Sequence, residues 1–146
     1  MTSEVQLRAF TTAPDLETCF ELMKVLRPML VSAAQFAEQI VRQMHQDYQL
    51  LGAVQDGKVI GLIGYRNLEN LLYGRFIYVD DLVVDPSVRH LGLGARLLDS
   101  VREQAIVQGC AHLVLDTGLH MPLAQRFYFR EGLLARGMHF VQPLQG

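Results

Sequence analysis

A chain of 146 residues, half of them hydrophobic and 19% charged, is long enough for one core and too apolar to remain disordered. Its formal net charge of −2 lacks the basic excess that binding a phosphate backbone requires, which sets nucleic acid aside as a partner. No apolar run reaches the ~18 residues of a membrane-spanning helix, and Met1 to Phe10 has no signal-peptide shape, so no membrane partner is expected. Cys19 and Cys110 are far apart and in no C-x-x-C pair, which predicts small core residues in a reducing, cytoplasmic setting.

Glu4 to Phe10 alternates and predicts a first strand. Thr12-Ala13-Pro14-Asp15 then reads as a helix start, with proline in the first turn and an acid at the positive end. Leu16, Cys19, Phe20 and Met23 continue it as one amphipathic helix to about Pro28. Ser32 with Gln35 is a capping box for a second helix, whose buried stripe is Phe36, Ile40, Val41 and Met44. Tyr48 to Val54 and Lys58 to Tyr65 predict two strands joined by the turn Gln55-Asp56-Gly57, and Asn67 to Asn70 reads as a polar interruption.

Phe76 to Val84 is apolar and β-branched apart from Asp80 and Asp81, and predicts a buried central strand stopped by Asp85-Pro86-Ser87. Arg89-His90-Leu91-Gly92-Leu93-Gly94-Ala95 then enters a helix whose inner face is Leu97, Leu98, Val101 and Ala105. Glycines at a helix entry allow a ligand close to the backbone, and the free N–H groups with the helix dipole favour an anion. Arg89 adds a positive charge beside them, so a phosphate-bearing cofactor is the expected occupant. That helix stops at Gln108-Gly109; Ala111 to Leu115 predicts a parallel strand after the crossover, Met121 to Glu131 a last helix, and Leu133 to Val141 a final strand.

Three phosphate loops compete for this stretch. A Walker loop requires Gly-Lys followed by Ser or Thr, and the chain has none. A dinucleotide fingerprint requires glycine where Leu97 stands; Asp116 supplies its acidic residue, but too little chain follows for the further strand–helix units of that fold. The third pattern, [Q/R]-x-x-G-x-[G/A], is matched by Arg89, Gly92 and Gly94. It resembles the acetyl-CoA loop of the GNAT superfamily of N-acetyltransferases, and the preceding Leu82-Val83-Val84 looks like that family's cofactor strand.

The order of elements resembles the same family over nearly the whole chain. The resemblance implies one α/β (α+β) acetyltransferase domain over 1–146. Its sheet would be mixed and mostly antiparallel, with six to seven strands flanked by about four helices. A V-shaped splay would separate the central strand from the parallel strand after it. It also implies acetyl-CoA as cofactor, held by the backbone of Leu82, Val83 and Val84 and by the loop Arg89, His90, Leu91, Gly92, Leu93, Gly94 and Ala95. The strand after the loop helix often ends in an asparagine that holds the cofactor arm; here Asp116-Thr117 stands there, and Thr117 is the expected substitute.

Acetyl transfer to an amine needs a base, an oxyanion donor and an acid for the departing thiolate. An alkyl amine of pKa ~10.4 is protonated at pH 7, and reaching the neutral nucleophile costs about 4.6 kcal/mol. Asp80 and Asp81 are the candidate bases; neighbours on a strand point to opposite faces, so one is expected in the cleft, with Asp81 preferred. The bland alternative is a carboxylate that only binds the substrate cation or holds a loop. Tyr128 lies in Ala124-Gln125-Arg126-Phe127-Tyr128-Phe129-Arg130-Glu131-Gly132-Leu133, a segment similar to the family's A-x-x-F-Y-x-x-x-G-F. The resemblance makes Tyr128 the general acid and the N–H of Leu82 the oxyanion donor.

The histidines (His45, His90, His112, His120 and His139) have no paired ligand spacing, so no metal is expected. The reading is thus an acetyl-CoA-dependent N-acetyltransferase acting on a primary amine of a small molecule by direct attack in a ternary complex. A homodimer is compatible with it. The alternatives are a non-catalytic acyl-CoA-binding sensor or adaptor, and an acetyltransferase acting on a protein amine. For the acceptor's anionic portion, if it has one, Arg66 and Arg75 are the candidate partners.

Overall fold

The computed structural model describes residues 4–145, with His90 described by its backbone alone. The described residues form two compact units, which divide between Leu115 and Asp116.

The first unit carries a mixed sheet of five strands in the order β1-β2-β3-β4-β5. β1 is Gln6–Phe10, β2 Tyr48–Gln55, β3 Lys58–Asn70, β4 Gly74–Val84 and β5 His112–Leu115. The first four strands are antiparallel neighbours, and β5 joins β4 in parallel, as a strand returning through a crossover helix must. The helices are α1 Ala13–Glu17, α2 Phe20–Leu26, α3 Ala33–Met44 and the crossover α4 Leu93–Val107. A 3₁₀ segment, Pro86–Leu91, links β4 to α4. Phe10, Leu16, Met23, Phe36, Leu50 and Leu62 are core residues where the helices pack on the sheet.

The predicted first helix is two. Thr18 turns its hydroxyl onto the Asp15 carbonyl at 2.6 Å while its own N–H reaches the same oxygen at 3.1 Å, which tightens the turn and ends α1 before α2 begins. The predicted polar interruption at Asn67 to Asn70 is strand, because Asn67 through Asn70 face Ile77 back to Gly74 across the ladder. Asn70 then forms the turn, its Oδ1 accepting from Tyr73 N–H at 2.7 Å, with Gly74 at φ 67°. The capping of α3 is as expected, with Ser32 Oγ accepting from Gln35 N–H at 3.2 Å. Cys19 is fully buried, and burial pushes its thiol up to about 12; it and Cys110 are both free.

The second unit carries α5, Pro122–Arg130, closed by Gly132 at φ 93°. The expected strand Leu133 to Val141 is irregular, so the sheet has five strands rather than six or seven. Alternation makes a strand only where a ladder partner completes it, and this segment has none among the described residues. The described residues form five α-helices rather than about four, the excess coming from the break at Thr18. Among the described residues, no helix is long and apolar enough to cross a membrane.

Candidate active site

β4 and β5 pair only from Phe76 to Val79 against His112 to Leu115, and β4 continues to Val84 without them. Pairing between the two strands therefore ends at Val79, where β5 itself ends at Leu115. A bulge sits at that point: Val79 faces Tyr65 and Asp81 faces Gly64, so Asp80 has no partner on β3. Beyond it, Asp85 N–H donates to Ile60 at 2.9 Å. Alternation in the antiparallel ladder then turns the N–H and C=O of Leu82 and Val84 away from β3, toward the open side, and those of Val83 toward β3. A chain rich in amides can pair with that open edge as an added strand does.

The loop after β4 is built for close approach. Asp85 ends the strand by accepting from Ser87 N–H at 3.0 Å and Ser87 Oγ at 2.9 Å, and these bonds hold its carboxyl below the usual range. Gly92 sits at φ 68° and ψ 25°, and a Cβ placed on it would meet nothing within 4 Å. The first bond of α4 is Arg96 N–H to Gly92, so the N–H groups of Leu93, Gly94 and Ala95 have no acceptor within the helix. No acidic residue stands in that turn, and Arg89 is exposed beside it. Open space, a positive-φ glycine and unpaired amides together fit a pyrophosphate group. The side chain of His90, expected near it, lies outside the described residues.

Asp80 and Asp81 are each gripped by an arginine. Arg66 donates to Asp80 through Nε to Oδ2 at 2.9 Å and Nη2 to Oδ1 at 2.7 Å, a two-pronged pair. Burial pushes the Asp80 carboxyl above its usual range, with Arg66 opposing. Arg27, just past the end of α2, donates through Nε to Asp81 Oδ1 at 3.1 Å, and through Nη2 to the Asp80 carbonyl at 2.8 Å. The Tyr48 hydroxyl donates to Asp81 Oδ2 at 2.8 Å. Burial first, then the neighbouring Asp81 charge, push the Tyr48 phenol well above its ordinary range, so it stays a donor.

The expectation that the two carboxylates face opposite sides rested on strict alternation, which the bulge breaks. Both residues line one cleft of about 280 Å³ between β4, α2 and α3, with Arg27, Met23, Phe36 and Ile40 among its walls. Arg66 is committed to Asp80, and Arg75 stands opposite Glu69 in the ladder. Arg27 and Tyr48 were not legible as site residues: one reads as a helix end before Pro28, the other as a strand start. The available signal was the need of two acids in an apolar strand for two positive partners.

Tyr128 lies on α5 in the second unit, half-buried, its phenol raised above the usual range by that burial. The Phe127 and Tyr128 rings meet edge-on at 5.3 Å, and the Tyr128 carbonyl accepts from Leu133 N–H at 3.0 Å. Asp116 in the same unit pairs with His139 at 3.0 Å, and Thr117 is half-buried.

An aminoalkylphosphonate N-acetyltransferase of Salmonella typhimurium is 31% identical over 93 residues, 63% of this chain and 60% of that protein. The chain thus matches less than two thirds of that relative's length. An aminoglycoside N-acetyltransferase solved with CoA superposes with a TM-score of 0.83 over 99% of this chain and 98% of its own, at 19% identity. A ribosomal-protein-alanine N-acetyltransferase from Brucella melitensis gives 0.83 over 97% and 100%, also at 19%. These two share the fold. The model of the Acetyltransferase (GNAT) family matches residues 16–132, most of the chain and every element from α2 to α5. This chain therefore belongs to the acetyltransferase (GNAT) family of N-acetyltransferases.

Proposed function

We propose that the protein is an acetyl-CoA-dependent N-acetyltransferase that modifies a primary amine of a small molecule by direct attack in a ternary complex, with residues 1–146 acting as one domain. The carrying observation is the bulge at Asp80, where the pairing with β5 has ended: outward-turned backbone at Leu82 and Val84 adjoins a small cleft lined by two carboxylates. The Salmonella relative's name, with its aminoalkylphosphonate substrate, supports a small amine.

Acetyl-CoA supplies an activated acetyl thioester. The amides of Leu93, Gly94 and Ala95, with Gly92 and the exposed Arg89, hold its pyrophosphate, and the edge of Leu82 and Val84 aligns its amide-rich arm. Thr117 is proposed as a further contact to that arm. The Leu82 N–H is the oxyanion donor, a role whose loss costs typically about 3–4 kcal/mol.

Of the two carboxylates, Asp80 is the proton acceptor. Arg66 occupies one site on each of its oxygens, so both retain acceptor capacity, and its raised pKa brings it nearer the working pH of a base. Asp81 has Arg27 on one oxygen and Tyr48 on the other, and serves to fix those partners. Tyr128, protonated at neutral pH, is assigned by its segment to return a proton to the thiolate.

Free-thiol release from acetyl-CoA across amines, aminophosphonates, amino acids and peptides tests this reading. Release that depends on a small amine is expected. Tight CoA binding with no amine-dependent release identifies a sensor or adaptor instead, and release with peptides alone moves the substrate to protein amines.

A further inference from the structure

The geometry points to Arg27 as a pre-oriented anion clamp, so that the acceptor is a short zwitterion carrying its amine and a carboxylate or phosphonate on one small skeleton. This rests on the acetyltransferase reading and names its substrate class. The charges in the cleft already balance: Arg66 neutralises Asp80, and Arg27 neutralises Asp81. A polycation finds no uncompensated acid there, while a molecule with one charge of each sign adds its own balanced pair.

Arg27 is placed for that task by a chain of buried contacts. Gly64 stands directly across the ladder from Asp81, and a Cβ on it would lie 1.8 Å from the Tyr48 hydroxyl. The missing side chain therefore makes the space in which Tyr48, 2% exposed, reaches Asp81. Asp81 in turn holds Arg27 by Nε and Nη2, and the Asp80 carbonyl takes a further bond from Nη2. Two donors of the guanidinium edge are spent on fixing its plane. Nη1 has no partner among the described residues, and the side chain, which lines the cleft, is 43% exposed. A fixed guanidinium with an unspent nitrogen is suited to a planar carboxylate or a phosphonate.

The size of the site sets the skeleton. About 280 Å³ falls at or below the low end of small-molecule pockets, and the walls Met23, Phe36 and Ile40 are apolar. Arg27 touches the Asp80 backbone, so the anion and amine positions are separated by only a few bonds.

The test compares kcat/KM for matched skeletons: aminopropanol, β-alanine and aminoethylphosphonate. Wild type is expected to favour the anionic pair over the alcohol by about 10–100-fold, the worth of hydrogen bonds to a charged group. The preferred anion distinguishes carboxylate from phosphonate. R27Q should bring the ratio close to one, through KM for the anionic amines, while R27K should retain part of it. Y48F, which frees Asp81 and so Arg27, should lower the ratio without abolishing it, a change a merely structural tyrosine would not make. CoA affinity of each variant, measured by calorimetry, reports folding. A wild-type ratio near one, or a ratio retained in folded R27Q, overturns the inference while leaving the acetyltransferase reading standing. Turnover of no amine at all overturns both.

Discussion

Arg66 and Asp80 form a fork-to-fork pair across the two strands that meet at the bulge, with bonds of 2.9 Å and 2.7 Å. The guanidinium works against the burial that pushes the Asp80 carboxyl up. Removing it by Arg66→Gln leaves burial unopposed, so the folded-state pKa of Asp80 rises further. A base must be ionised to act, and the acid limb of the pH–rate profile should therefore move to higher pH. A pH–rate series on the best amine measures this; an unmoved or lowered limb excludes Asp80 as the base. Asp80→Asn should lower kcat/KM most below pH ~8, where the amine is hardest to deprotonate.

Gly92→Val and Gly94→Val should weaken CoA binding far more than Arg89→Ala. Bulk at the helix entry blocks several amides together, and Gly92 also has a positive φ that a β-branched residue adopts only with strain. Arg89 contributes one exposed and screened charge. Calorimetry on folded variants decides; tight binding in both glycine variants removes the loop from the cofactor site.

Tyr128→Phe should leave CoA affinity intact and lower kcat by about 10²–10⁴, the usual range for a lost proton donor. Because burial raises this phenol, it should remain a donor up to and beyond its ordinary pKa of about 10, and no alkaline loss from its ionisation is expected below that. An unchanged kcat in the variant assigns the thiolate's proton to water.

Ser32→Ala removes the side-chain acceptor for Gln35 N–H and should cost about 1 kcal/mol. Thermal unfolding should report a drop in Tm of about 2–4 °C. No change in CoA affinity is expected, since α3 borders the cleft and not the loop.

Periodicity and punctuation made most of the first unit legible. The alternation of β1, the serine cap of α3, the glycine turn after β2 and the proline after β4 are local signals, and the structure follows each. The left-handed entry to α4 was legible because a glycine, Gly92, stands there. Events decided by partners were not: Thr18 reaching back to Asp15, and Leu133 to Val141 lacking a ladder. Within the site, two acids in an apolar strand announced a need for compensation but not its source. Arg27 lies more than fifty residues from Asp81 in sequence, and Tyr48 reaches Asp81 only because Gly64 leaves a gap. The bulge at Asp80 has no local sequence mark, yet it sets the relation of both carboxylates to the cleft.

Mass spectrometry of one incubation of the protein with acetyl-CoA and its best amine tests direct transfer most plainly. The account predicts an N-acetylated amine, an equal amount of free CoA, and a protein chain of unchanged mass. An acetylated protein, or acetyl-CoA bound and left intact beside unmodified amine, would contradict it.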